Sequence, residues 1–92
     1  MNAVLAATHA LLASLDPLSY PERMRRLAQW ARTAPDRTEV CADLRAQSPY
    51  ARQLALAAAM AARDTAGITA AMGDPQPSIR GAALTAALRA GL

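Results

Sequence analysis

Nine consecutive residues, Leu54 to Ala62, carry no polar side chain. A helix that is apolar all round has no wet face and is covered on more than one side. This run of nine is too short to span a bilayer, and Arg63 and Asp64 end it with two charges. It therefore predicts the central helix of a stack, with neighbours before and after it in the chain.

The composition favours helices over strands. The chain of 92 residues contains 25 alanines and only three aromatic residues. Alanine has the highest helix propensity, whereas strands are enriched in β-branched and aromatic residues. We therefore expect a single all-α domain over residues 1–92. Its small side chains should bring helix axes close together, because the distance between axes follows the residues at the contact.

The charge and the cysteine content narrow the function classes. All ten basic residues are arginine and the net charge is +3. This positive charge is smaller than that of a nucleic-acid-binding domain with a dense basic stripe. Cys41 is the only cysteine, which excludes an internal disulfide and a cysteine-based metal cage and suits a reducing compartment. No Arg or Lys precedes Arg23, so the positive start of a secretory signal is missing. We expect a cytoplasmic protein without membrane contact.

A repeat with a period of about 28 residues runs through the chain, within the range typical of stacked repeats. Pro21, Pro49 and Pro77 are equally spaced, and Asp36 and Asp64 have the same separation. Proline suits the first turn of a helix, where its missing N–H needs no partner, and aspartate suits the N-cap. Each period therefore predicts a pair of helices, the first beginning at the proline and the second at the aspartate. An arginine follows each proline within four residues: Arg25, Arg52 and Arg80.

Local signals place the ends of the helices. Ser19 with Glu22 has the form of a capping box, and Ser48 is a good N-cap. Asp36 and Asp64 are expected to cap the second helix of each pair. The predicted helices cover approximately residues 3–15, 21–33, 37–46, 49–62, 65–72 and 78–90.

The helices group into repeats with two incomplete ends. Residues 3–15 form an N-terminal half repeat, 19–46 and 47–74 form two full repeats, and 75–92 form an incomplete C-terminal repeat. A terminal repeat normally carries a polar outer face, yet Leu84, Leu88 and Leu92 have nothing after them to pack against. Either the chain is a piece of a longer solenoid, or this end meets another molecule.

Residues 74–88, from the Asp74-Pro75 turn through Pro77-Ser78-Ile79-Arg80 to Leu88, carry a family resemblance. They resemble the first helix of a HEAT-like repeat, in which an Asp-containing turn precedes Pro-x-Val/Ile-Arg-x-x-Ala-x-x-Ala-Leu. Residues 49–56 resemble it more loosely and 21–30 more loosely still. The resemblance covers roughly residues 10–92 and is to the HEAT-like α-solenoid family, including its bilin-lyase-type HEAT proteins.

The resemblance implies a fold and a general role. Members of the family form a right-handed stack of helix pairs, whose second helices line a concave face that mostly holds other macromolecules. The Asp of the turn and the Arg of the helix commonly form a ladder between repeats. Asp74 and Arg80 fit that ladder, whereas Arg52 has no aspartate shortly before it.

The sequence contains no arrangement of residues that predicts catalysis. His9 has Ala13 rather than a second ligand one turn on, and is interpreted as a helix-surface residue. Cys41 lies beside Val40 and one turn before Leu44, which favours a core position. A Gly-rich phosphate loop, paired carboxylates on one helix face and a serine with a base are all missing. We expect no enzyme activity, no metal site and no cofactor.

The arginines of the second helix have two interpretations. Arg23, Arg25, Arg26 and Arg32 could bind phosphate, but a solvated face in which Glu22 pairs with Arg26 is favoured. Trp30, the one large aromatic residue, is expected at the edge of the core.

The sequence favours a non-catalytic interaction or scaffold module. The partner is another protein, the rest of a longer chain, or a second copy meeting the C-terminal helix. A nucleic-acid-binding module that uses arginines, as in the HEAT-like alkylpurine DNA glycosylases, is the alternative. A non-catalytic part of a lyase-type HEAT protein is the second alternative. The candidate partner-binding residues lie on the third and fifth helices and at the C-terminal end: Thr38, Arg45, Ala66, Ala70, Leu84, Leu88 and Leu92.

Overall fold

The computed structural model describes residues 2–92, which form six α-helices and no strand. The helices are Ala3–Leu15 (α1), Tyr20–Thr33 (α2), Arg37–Arg45 (α3), Pro49–Ala62 (α4), Thr65–Ala71 (α5) and Pro77–Arg89 (α6). Every boundary lies within one residue of its prediction. The all-α fold class is confirmed.

Three of the four predicted N-caps form. Ser19, Ser48 and Asp64 each accept a hydrogen bond from the backbone N–H three residues on, at 3.5, 3.2 and 3.2 Å. The prediction for Asp36 is wrong, since its side chain makes no capping hydrogen bond. Its backbone (φ −100°, ψ 18°) lies outside the extended region that other caps adopt. In addition, Asn2 caps α1 through the N–H two residues on, at 2.8 Å.

Helix α4 is the hub of the fold, because it contacts α2, α3, α5 and α6. It supplies buried residues to two hydrophobic clusters, Leu54 to one shared with α1, α2 and α3, and Leu56 to one shared with α5 and α6. Cys41 is buried in the first cluster and Trp30 packs partly buried against it, so both placements are confirmed.

The expectation that α4 has no wet face is wrong along one stripe. Gln53 is exposed, Ala57 is half-buried and Met60 is 43% exposed. These positions share one side of the helix, between α2 and α6. Helix α2 packs closely against α4, whereas α6 makes fewer contacts with α4. The side of α4 that lies between α2 and α6 therefore stays open.

Gly67 allows α5 to approach α4 closely. A Cβ atom at Gly67 would lie 2.8 Å from the Cβ of Ala59, where ordinary contact begins at 3.4 Å. Glycine lowers helix propensity, and Gly67 lies inside the short helix α5. The structure shows that it is a packing position, and that small residues do bring these two helices together.

The contacts between helices show which helices pack as neighbours. Helix α3 packs mainly against α1 and α4, and α2 mainly against α4, so α2 and α3 share few direct contacts. The division into repeats and the right-handed solenoid stay predictions.

Candidate interaction surfaces

Three arginines near the starts of α2, α4 and α6 bind the preceding turn rather than facing solvent. Arg23, Arg52 and Arg80 each donate a hydrogen bond to the backbone carbonyl five residues earlier, at 3.1, 3.3 and 3.1 Å. Arg23 also donates to the carbonyls of Leu15 and Asp16 at the end of α1, at 3.2 and 3.3 Å. The last carbonyls of a helix lack intrahelical partners, so these arginines help to satisfy the turns between helices.

This role corrects two details of the sequence interpretation. The sequence matches Arg25 to Arg52 and Arg80 as the arginine that follows each repeat proline, but Arg23 makes the equivalent hydrogen bond. Arg25 instead pairs with Glu22, the partner that had been expected for Arg26. The predicted solvated face of α2 therefore loses Arg23.

Asp74 joins the turn before α6 to α4. Its Oδ2 accepts from Arg52 Nε at 2.8 Å and its Oδ1 from the Gln76 N–H at 2.8 Å, while Arg80 donates to its backbone carbonyl at 2.8 Å. Arg52 thus finds its aspartate 22 residues later in the chain. Burial opposes ionisation of this carboxyl, but the Gln76 and Arg52 hydrogen bonds and the charges of Arg52 and Arg80 outweigh it. The pKa of Asp74 is lowered as a result.

The candidate residues of α3 and α5 are only partly brought together. Arg45 and Ala70 line one shallow cavity of about 210 Å³, together with Gly73 and Asp74. Thr38 and Ala66 are exposed but lie outside that lining. Arg52 also lines this cavity, so the surface carries two guanidiniums, of which that of Arg52 is bound to Asp74.

The leucines at the C-terminal end are exposed, as the sequence indicates. Leu84 is 48%, Leu88 77% and Leu92 56% exposed. Gly81 lies on the same side of α6, and a Cβ there would meet no atom within 4 Å. The buried side of α6 carries Ile79 and three alanines instead. We call Leu84, Leu88 and Leu92 the leucine row.

A groove that the sequence does not reveal runs over the open stripe of α4. Its floor is α4, its walls are α2 and α6, and its volume is about 330 Å³. At Met60 it meets a second cavity of about 530 Å³ that reaches Arg63 and Arg89. We call both together the α4 groove. The main lining residues of its first part are Tyr20, Met24, Tyr50, Ala57, Met60 and Ala82.

One sequence signal points to this groove in hindsight. Tyr20 and Tyr50, two of the three aromatic residues, each neighbour a proline that begins a helix. They are 71% and 40% exposed, and the Arg23 guanidinium lies 5.9 Å from the Tyr50 ring centroid. Exposed aromatic residues are enriched in binding sites.

The remaining reactive side chains are isolated. His9 is exposed on α1, and burial raises the pKa of the Cys41 thiol. Within residues 2–92, no three His, Cys, Asp or Glu side chains are placed to hold a metal ion.

Helix length and comparison with other proteins add two findings. Across residues 2–92, no helix combines the length and the apolar character needed to cross a membrane. Comparison with protein-family models, curated proteins and solved structures gives no match.

Proposed function

We propose that the chain is a non-catalytic protein-binding module whose partner covers the leucine row of α6. The observation that supports this most directly is the exposure of Leu84, Leu88 and Leu92, at 48, 77 and 56%. Single exposed leucines are ordinary, but Leu84 and Leu88 lie one turn apart on the same side of α6, and Leu92 follows just after the helix ends. Amphipathic helices dock through such rows.

The size of the leucine row limits the kind of complex. Full burial of a leucine side chain is worth about 1.5–3 kcal/mol. Burying the exposed surface of the three leucines would therefore contribute roughly 3–5 kcal/mol to the free energy of binding. Free association costs at least about 4 kcal/mol in lost translation and rotation. A separate partner therefore needs further contacts, whereas a following segment of the same chain would not bear that cost.

The repeat period and the HEAT-like resemblance support the same proposal. In a right-handed α-solenoid of helix pairs, α6 would take the place of a first helix, against which a second helix packs. Three occupants fit this position: a continuing repeat, a second copy of this chain, and another protein. The second face of the proposal is the shallow surface of α3 and α5, with Thr38, Arg45, Ala66 and Ala70.

The nucleic-acid alternative has less support. Arg23, Arg52 and Arg80 are engaged by backbone carbonyls, and the α3–α5 cavity also contains the carboxylate of Asp74. Phosphate binding depends on the number of free cations. The lyase-type alternative has no residue in its favour.

Light scattering combined with an apolar fluorescent dye tests the proposal. Leu88→Glu should remove concentration-dependent self-association or, in a monomer, most of the dye binding. Leu5→Glu is the matched control, since Leu5 is a 47% exposed leucine of α1 and is remote from the row. A wild-type chain that stays monomeric at high concentration and binds no dye would contradict the proposal.

A further inference from the structure

The α4 groove has the dimensions of a peptide site. Gln53, Ala57 and Met60 lie along its floor, and a helix axis rises by about 1.5 Å per residue. From Gln53 to Arg63, which lines the second cavity, the floor therefore extends about 15 Å. That length matches about three turns of a helix or about four to five residues of an extended strand.

The floor is apolar and adaptable. Met60, at 43%, is the only exposed residue of the apolar run from Leu54 to Ala62. Methionine is flexible and polarizable, and is over-used at surfaces that accept varied apolar partners. Ala57 and Ala82 keep the space beside it open. The tyrosines at the other end add aromatic anchors.

The charges that line the groove have one sign. Arg23 lines the tyrosine end, and Arg63 and Arg89 line the far end, whereas neither part is lined by an Asp or Glu. The ion pairs among residues 2–92 involve Arg25 and Arg52, so Arg63 and Arg89 have no carboxylate partner there. The far end of the groove is therefore complementary to carboxylates.

From this charge and shape we infer that the α4 groove binds a short amphipathic segment of another protein with acidic residues at one end. Its apolar side chains lie on Met60 and between the two tyrosines. Its carboxylates lie at Arg63 and Arg89. This role is independent of the leucine row, because Ser78, Ala82 and Arg89 lie on a different side of α6 from Leu84 and Leu88.

A peptide fits the groove better than a nucleic-acid strand. A strand carries a phosphate on every nucleotide and needs cations along the whole groove. Here the middle is Ala57, Met60 and Ala82, and the Nε and Nη2 atoms of Arg23 already bind backbone carbonyls. An acidic end with an apolar body matches this distribution.

Fluorescence anisotropy with synthetic probes tests the inference. The probe is a labelled helical peptide with leucines on one face and glutamates in its last turn. The comparison probes are a scrambled peptide of the same composition, a version with lysine in place of glutamate, and a labelled oligothymidine. We expect the acidic amphipathic peptide to bind most tightly, and its affinity to fall as salt rises.

Substitutions on the groove identify the site. Arg89→Glu should weaken binding of the acidic peptide by about tenfold and improve binding of the lysine version. Arg32→Glu is the matched control, because each arginine is the basic residue in the last turn of its helix but Arg32 is outside the groove. Met60→Glu should abolish binding of both peptides. Circular dichroism confirms that each variant folds, and Met60→Ala replaces Met60→Glu if that variant does not.

Three results would overturn the inference: equal binding of the scrambled peptide, tighter binding of oligothymidine, or an unchanged affinity in Arg89→Glu. Leu88→Glu separates this role from the leucine row, since it should leave peptide affinity intact. Loss of peptide binding in Leu88→Glu alone would place the peptide on the leucine row instead.

Discussion

Two glycine-to-alanine substitutions should change stability in opposite directions. In Gly67→Ala, the new Cβ would lie 2.8 Å from Ala59 Cβ and 3.2 Å from Asp64 Oδ2. Neither Cβ can rotate away, so α5 must move from α4 or the Asp64 cap must shift. Overpacking of this kind costs about 1–3 kcal/mol, which exceeds the gain of at most about 1 kcal/mol in helix propensity.

Gly81→Ala is the matched control. A Cβ at Gly81 meets no atom within 4 Å, so only the helix propensity changes, and stability should rise by about 0.5–1 kcal/mol. For a domain of this size, a change of about 1 kcal/mol shifts Tm by about 4–8 °C. Thermal and urea unfolding followed by circular dichroism should show a lower Tm for Gly67→Ala and a higher one for Gly81→Ala.

The double variant Ala59→Gly, Gly67→Ala checks the cause. Removing the Ala59 methyl removes the clash. The double variant should therefore lose less free energy of unfolding than the two single variants lose together. If Gly67→Ala is as stable as the wild type, or the two effects simply add, then the close approach of α4 and α5 is not what Gly67 provides.

Three further predictions concern the core and the Asp74 site. Leu54→Ala should lower the free energy of unfolding by about 2–5 kcal/mol, because Leu54 is 1% exposed; urea titration with an unchanged midpoint would contradict this. Asp74→Asn should destabilise the chain near neutral pH, with the difference shrinking as pH is lowered. The pKa of Asp74 is lowered in the folded chain, so its ionised form stabilises the fold fully above the unfolded pKa of about 3.9. This stabilisation is lost as pH falls through the folded pKa. A difference in stability between wild type and Asp74→Asn that stays constant from about pH 7 to about pH 2 would exclude this reason. Cys41 is buried with a raised pKa, so iodoacetamide at neutral pH should label it only after unfolding, and rapid labelling of the native chain would refute its placement.

Local signals account for what the sequence predicted well. A proline in the first turn and a serine before it act within four residues of the helix start. The starts of α2 and α4 and their caps can therefore be predicted from neighbouring residues alone. The nine-residue apolar run likewise identifies α4 as the central helix.

Features that depend on the distance between helices could not be predicted in this way. The Arg52–Asp74 pair joins residues 22 apart, and the choice of Arg23 over Arg25 depends on where α1 ends. The α4 groove depends on how far α6 stands from α4, and no pattern in either helix fixes that distance.

The groove and the tight α4–α5 contact have a common origin in the small side chains of α4. Where α5 presents Gly67, the alanines of α4 let the helices meet. Where α2 and α6 flank Ala57, the same small side chain leaves open space. Ala57→Leu should therefore fill the groove, abolish binding of the acidic peptide, and stabilise the fold by up to about 0.8 kcal/mol for each CH₂ that becomes buried. A variant that still binds the peptide normally, with unfolding unchanged, would show that the space over Ala57 is not the binding site.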